Sequence, residues 1–307
     1  MRAPMSDPAA PRDAGLPSTE SVSARTRDLD LLSSRALVDA LNAEDALVAA
    51  VVAAEAEAVA AAIDLIAARL RGGGSWVSFG AGTSGRLAVL DASELPPTFG
   101  VPPGLVRARI AGGDRALREA TEGAEDDAAQ GAADAASEGL GPRDVAVGVA
   151  ASGRTPYVIG ALGEARRRGA AAVAVVCDAP TPLHALADVT IAPRTGAEAL
   201  SGSTRLKAGT AQKLVLNQLS TGVMIRLGRV YGNLMVGVVA GNAKLRARAA
   251  RLTAQITGAD AAAVERALAE ARGDVRVACV MLKRGVDAAE ASARLERAGG
   301  SLRAVVG

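Results

Sequence analysis

The stretch Ser75-Trp76-Val77-Ser78-Phe79-Gly80-Ala81-Gly82-Thr83-Ser84-Gly85-Arg86 decides the fold. A short apolar run closed at both ends by glycine is the pattern of a strand buried on both faces. The polar, glycine-rich turn behind it opens a helix-like run from Ser84 to Ala92. Working outward, similar apolar runs recur at Leu105–Ile110, Asp144–Ala151, Ala171–Cys177 and Asp188–Ala192. Helical patterns lie between them, as at Thr155–Arg168 and Pro182–Ala187. Alternating strands and helices are most economically a parallel sheet with crossover helices. The expectation is an α/β fold, a doubly wound five-stranded parallel sheet of flavodoxin-like order 2-1-3-4-5, flanked by helices.

Upstream, Asp45 to Arg71 is nearly all Ala, Val, Leu, Ile and Glu, and the run stops at Gly72-Gly73-Gly74, which reads as one long helix with a glycine stop. It is apolar on more than one face, more than one sheet buries, so a dimer is expected to cover it. Downstream, Lys207 to Leu227 is a second long helix. Thr257-Gly258-Ala259-Asp260, Gly273-Asp274 and Gly285-Val286-Asp287 then punctuate three short helical patterns, with the aspartates as N-caps. The expected organisation is a tail at 1–18, a helical arm at 19–58, the α/β domain at 59–229, a connecting helix at 230–256 and a small three-helix domain at 257–307.

Composition narrows the function. Hydrophobic residues make up 50% and charged residues 22%, so the 307-residue chain has ample material for a core, and no apolar run reaches the ~18 residues of a membrane span. Met1 to Pro17 has no apolar core of a signal peptide. A soluble, cytoplasmic protein with no membrane partner is expected. One histidine, His184, and two cysteines, Cys177 and Cys279, are too few for a zinc cage or a disulfide framework, so no metal is expected. A formal charge of +2 with scattered arginines and 2% aromatics argues against a nucleic-acid partner.

Three hydroxyl-rich loops carry the chemistry. Gly80-Ala81-Gly82-Thr83-Ser84-Gly85 satisfies G-x-G-x-x-G, but the next strand ends in Ala111-Gly112-Gly113 with Asp114 arriving late for a dinucleotide ribose. Two hydroxyls, Thr83 and Ser84, at a helix start suit a phosphomonoester instead; Ser84 as a plain N-cap is the alternative. Ala151-Ser152-Gly153-Arg154-Thr155-Pro156 follows the third strand in the same manner, and strands 1 and 3 flank the switch point, so Ser84, Ser152 and Thr155 should converge on one anion. The third loop, Ser201 to Thr210, places Lys207 either at a ligand or in an ordinary capped helix start. Gly82, Thr83, Ser84, Ser152, Gly153, Thr155, Glu198 and Lys207 form the candidate binding set.

With histidine and metal scarce, carboxylates must supply proton transfer. Glu94 lies in Asp91-Ala92-Ser93-Glu94-Leu95-Pro96-Pro97, and Glu125 in Glu122-Gly123-Ala124-Glu125-Asp126-Asp127. The plain readings are a solvated side chain for Glu94 and a first-turn helix acid for Glu125.

These motifs, with Lys207-Ala208-Gly209-Thr210-Ala211-Gln212-Lys213 and Gly232-Asn233-Leu234-Met235-Val236, resemble the N-acetylmuramic acid 6-phosphate etherases of the sugar isomerase (SIS) fold group. The resemblance implies a lyase of cell-wall amino-sugar recycling. Such an enzyme cleaves the D-lactyl ether of N-acetylmuramic acid 6-phosphate to N-acetylglucosamine 6-phosphate and D-lactate by elimination and water addition. It implies Glu94 as the acid that protonates departing lactate, Glu125 as the base at carbon 2, no cofactor, and a homodimer. The acid should have its pKa raised by burial or a neighbouring anion. The same group contains the glucokinase regulatory protein, so a phosphosugar sensor is the alternative. Two departures stand out: Ser23 where such etherases usually carry an Asn in the arm, and Gly237 where they carry an Asp.

Overall fold

The computed structural model describes residues 17–238 and 243–307, so most of the tail expected at 1–18 lies outside the described residues. Three 3-10 turns, Ser18–Glu20, Ala24–Thr26 and Leu29–Leu31, lead into α1 (Ser34–Asp45), α2 (Val48–Ala53) and α3 (Ala56–Arg71). The sheet follows as β1 (Trp76–Gly80), α4 (Gly82–Phe99), β2 (Val106–Ile110), α5 (Ala128–Ser137), β3 (Val145–Val149), α6 (Pro156–Arg167), β4 (Ala171–Val175) and β5 (Val189–Ile191), closed by α7 (Lys207–Arg226). Its order is β2-β1-β3-β4-β5 and every pair is parallel, as the sequence leads one to expect.

Burial on both faces explains the unbroken apolar runs. Trp76, Val145, Val147, Val149, Val173 and Val175 point into a layer shared with α3, α4 and α7. Their alternating neighbours Val77, Phe79, Ala146, Ala172 and Ala174 point into the layer of α5 and α6. The one polar residue inside β1, Ser78, lies on the Trp76 face and accepts the indole N–H at 2.9 Å, so neither buried group is left unpaired.

The single helix expected over Asp45–Arg71 is corrected: the axis bends by 59° between Ser34–Ala53 and Ala56–Arg71. Two tertiary contacts outweigh the local propensity. Val48 and Val52 turn into the core beside α7, and the Glu55 carboxylate accepts the Ala192 N–H at 3.0 Å, just past β5. The bend thus buries within one chain part of the apolar surface that the sequence reading assigned to a dimer. Among the described residues no single helix is long and apolar enough to cross a membrane.

After the sheet comes a small hairpin, β6 (Val230–Tyr231) and β7 (Leu234–Met235), then α8 (Ala243–Thr257), α9 (Ala261–Glu270), α10 (Val275–Arg284), α11 (Ala288–Arg297) and α12 (Leu302–Val306). Asp260, Asp274 and Asp287 cap α9, α10 and α11 by accepting Ala263, Arg276 and Glu290 N–H, each at 2.8 Å. The three-helix count is too low. Ala249, Leu252 and Ile256 bring α8 into the same apolar cluster, and Leu302 adds α12. Gly237, the departure at the hairpin's exit, is tightly placed: a Cβ there would lie 2.1 Å from the Phe99 carbonyl oxygen, so no side chain fits.

Candidate active site

The chain leaves β1 toward β2 and leaves β3 toward β4, so a crevice opens between the carboxyl ends of β1 and β3. Register pairs Gly80 with Val149, which sets the two following loops at one level. The first helix can start directly over the strand end because neither Gly80 nor Gly85 has a side chain. A Cβ on Gly80 would lie 2.7 Å from the Gly85 nitrogen, and one on Gly85 would lie 2.6 Å from Ile110 Cγ1. Gly82, Thr83, Ser84, Ser152, Gly153 and Thr155 therefore all stand at this end of the sheet.

Three helices begin here, and their N-termini differ. α4 starts behind Ala81 and α6 starts at Pro156 behind Thr155, neither with a side-chain cap, so both leave backbone N–H groups for an anion. The N-terminus of α7 already holds one: Glu198 accepts the Lys207 and Ala208 N–H groups, each at 2.9 Å. Burial pushes the Glu198 carboxyl up against the lowering effect of those two N–H groups. Fully buried, Glu198 caps a helix and does not face the crevice. Lys207 is likewise turned inward. Its Nζ lies 2.6 Å from Glu44 Oε2, with both side chains almost wholly buried, and Arg25 Nε donates to Glu44 Oε1 at 2.6 Å. Arg25, reinforced by Lys207 and opposed by burial, holds the Glu44 carboxyl below the usual range. The structure thus gives two members of the candidate binding set internal partners instead of a ligand.

Ser84 lies inside the first turn of α4, not at its cap, and its Oγ donates to Gln212 Oε1 at 2.8 Å, fastening α4 to α7. Buried Gln212, which no local signal singles out, leaves its Nε2 without a partner. Ser152 is half-buried and accepts the Arg154 N–H at 3.2 Å, shaping the second loop. Gly153 sits in that turn with φ +64°.

The two glutamates part company. Glu125 stands in a 3-10 turn, Ala124–Asp126, and lines a cavity of about 210 Å³ with Ala81, Gly82, Arg86, Thr121 and Glu122. It is not a first-turn acid of α5; that place is capped by Asp127, which accepts the Gln130 N–H at 2.8 Å. Arg86 donates to the carbonyls of Leu117 and Glu119 at 3.2 and 3.1 Å, which holds the segment carrying Glu125 over the start of α4. Glu94 does not line this cavity. It lies on α4 twelve residues beyond Gly82, one turn past buried Asp91, which accepts from Asn217 Nδ2 at 2.7 Å and Ser220 Oγ at 3.0 Å. Both glutamates are exposed, so the burial expected around the acid is not provided by this chain alone. A larger cavity of about 930 Å³ between α8 and α9 is lined mainly by alanine and arginine and holds none of the hydroxyl loops.

The model described as the glucokinase regulatory protein N-terminal SIS domain matches residues 58–166, and that described as the SIS domain matches residues 128–221. An N-acetylmuramic acid 6-phosphate etherase of Serratia proteamaculans is 51% identical over 288 residues, covering 94% of this chain and 97% of that protein. One from Symbiobacterium thermophilum is 54% identical over 268 residues, covering 87% and 89%. Among solved structures, a phosphoheptose isomerase from Francisella tularensis superposes with a TM-score of 0.52 at 19% identity, over 63% of this chain and 100% of that one, a likeness of fold.

Proposed function

The chain belongs to the N-acetylmuramic acid 6-phosphate etherase family, and on that premise we propose that it converts N-acetylmuramic acid 6-phosphate and water to N-acetylglucosamine 6-phosphate and D-lactate. The observation that carries the reading is the uncapped N-terminus of α4 on the cavity that Glu125 lines, with the uncapped N-terminus of α6 following the neighbouring strand at the same end of the sheet. The amide groups of α4 and α6 attract the phosphate dianion, and Ser84, Ser152 and Thr155 stand beside them. In the open-chain sugar, the hydrogen on carbon 2 is acidified by the neighbouring aldehyde. Glu125 removes that proton, the carbon 3–oxygen bond breaks, and Glu94 delivers a proton to the departing lactyl oxygen. Glu94, now a carboxylate, takes a proton from water as it adds to carbon 3, and carbon 2 regains one from Glu125. Carbon–oxygen bond cleavage by elimination makes the activity that of a lyase.

Each carboxylate is expected to supply about 100- to 10,000-fold in rate. The separation of roles is tested in deuterated water. Glu94→Gln should exchange the carbon 2 hydrogen while releasing almost no lactate, and Glu125→Gln should do neither. The opposite pattern would exchange the roles; normal lactate release by both would remove these residues from the chemistry. The setting we assign is a cytoplasmic homodimer in the recycling of cell-wall amino sugar. The match of residues 58–166 to the glucokinase regulatory protein's domain favours a second reading, a sensor that holds the phosphosugar without turning it over.

A further inference from the structure

A phosphate dianion only accepts hydrogen bonds, so every polar group around it must donate. On the reading that places the substrate phosphate at the N-terminus of α4, one group there points the wrong way. The Gly85 N–H is bonded back to the Ala81 carbonyl at 3.1 Å, which leaves the amides of Gly82, Thr83 and Ser84 ahead of it for the anion. The Ser84 hydroxyl has one proton, and that proton goes to Gln212 Oε1 at 2.8 Å. What Ser84 Oγ then has left for an anion is lone pairs.

The remedy lies in the same pair of side chains. Gln212 is fully buried in α7, and its Nε2, which carries two N–H donors, has no partner. The terminal torsion of glutamine is broad and roughly two-fold, so the amide can turn over in place without changing the volume it fills. Turned over, Nε2 donates to Ser84 Oγ across the same contact, and the Ser84 proton is released. The seam between the helices holds the two residues opposite each other. One turn before Gln212, a Cβ on Gly209 would lie 3.3 Å from Thr83 Cγ2, and further along Asn217 and Ser220 donate to Asp91. What varies is the direction of the bond. We infer that Gln212 is a positioning residue for phosphate binding: its amide turns over when the anion arrives, donates to Ser84 Oγ and aims the Ser84 proton at the phosphate. The two side chains keep one hydrogen bond between them in both states, and a hydroxyl that accepts a bond becomes a stronger donor. Gln212 itself does not touch the ligand. Neither a carboxylate, which only accepts, nor an apolar side chain can serve both states.

The test is a double-variant cycle read by calorimetry with N-acetylglucosamine 6-phosphate, which carries the phosphate and is not turned over. Ser84→Ala should raise Kd about 10- to 100-fold, the loss of a charge-assisted bond. Gln212→Met, neutral and of similar size, should raise it about 3- to 10-fold in the wild-type background. In the Ser84→Ala background it should change Kd by less than about 2-fold, because it acts only through that hydroxyl. In turnover, Gln212→Met should raise KM by the same factor and leave kcat within about 2-fold, since the phosphate is held alike in ground and transition states. A merely structural Gln212 predicts a lower Tm with Kd unchanged, or the same factor in both backgrounds, and either result overturns the inference. Gln212→Leu is read in the same way if Gln212→Met does not fold, and failure of both to fold also makes the residue structural. If wild type binds and Ser84→Ala leaves Kd unchanged, the placement of the phosphate at α4 fails first and takes the inference with it. That outcome is distinct from an effect of Ser84 without one of Gln212. Wild type that binds no N-acetylglucosamine 6-phosphate defeats the proposed function itself.

Discussion

Replacing Glu44 or Lys207 separates the internal role of Lys207 from the ligand contact its sequence suggests. Lys207 and Glu44 form an ion pair at 2.6 Å, with side-chain exposures of 2% and 3%, and Arg25 binds the other oxygen of the same carboxylate. Glu44→Gln strips the counter-charge from a buried ammonium, a change that costs about 3–5 kcal/mol. Lys207→Met leaves Glu44 still paired with Arg25, so the loss is nearer that of one charge-assisted hydrogen bond, about 1.5–3 kcal/mol. At about 2–4 °C per kcal/mol for a chain of this size, Glu44→Gln should lower Tm by roughly 6–20 °C, and Lys207→Met by less. Thermal unfolding at pH 7, with KM measured well below both Tm values, checks the order. Lys207→Met should leave KM for the phosphosugar within a few-fold. Unchanged stability in Lys207→Met with a large rise in KM would refute this reasoning and return Lys207 to the ligand.

Acid should act through the same carboxyl: its folded value is held low by Arg25 and Lys207, so its stabilisation is complete above the unfolded value of about 4.3 and disappears as pH falls through the folded one. Tm measured from pH 7 to pH 3 should therefore fall less steeply in Glu44→Gln than in wild type below about pH 4.3. Ser84→Ala removes the donor to buried Gln212, leaving both polar atoms of that amide unpaired; urea unfolding should show a loss of about 1–3 kcal/mol, accompanied by a raised KM. Gly237→Ala forces a Cβ against the Phe99 carbonyl and should destabilise by about 1–3 kcal/mol or more in the same assay.

Features whose cause is local were legible. β1 and β3 show as apolar runs because both faces are covered, and the caps at Asp260, Asp274 and Asp287 show because a short carboxylate just before a helix has one dominant use. The bend before Ala56 was not legible, since an alanine-rich run contains no breaker and the bend is set by a bond from Ala192, 137 residues away. The partner of Lys207 is 163 residues distant, so its neighbours in sequence favour ligand and salt bridge alike. The β6–β7 hairpin, with two residues per strand, is too short for any period to appear. At the site, the loops were readable as chemistry because glycine and hydroxyl residues follow buried strands. The separation of Glu94 from Glu125 depends on the length and direction of α4, which motif content does not encode.

The most direct test of the account is incubation of the purified wild-type chain with N-acetylmuramic acid 6-phosphate and an assay for free D-lactate. The account predicts one D-lactate and one N-acetylglucosamine 6-phosphate for each substrate consumed. Tight binding of the phosphosugar by calorimetry with no lactate released would contradict it and leave the sensor reading in its place.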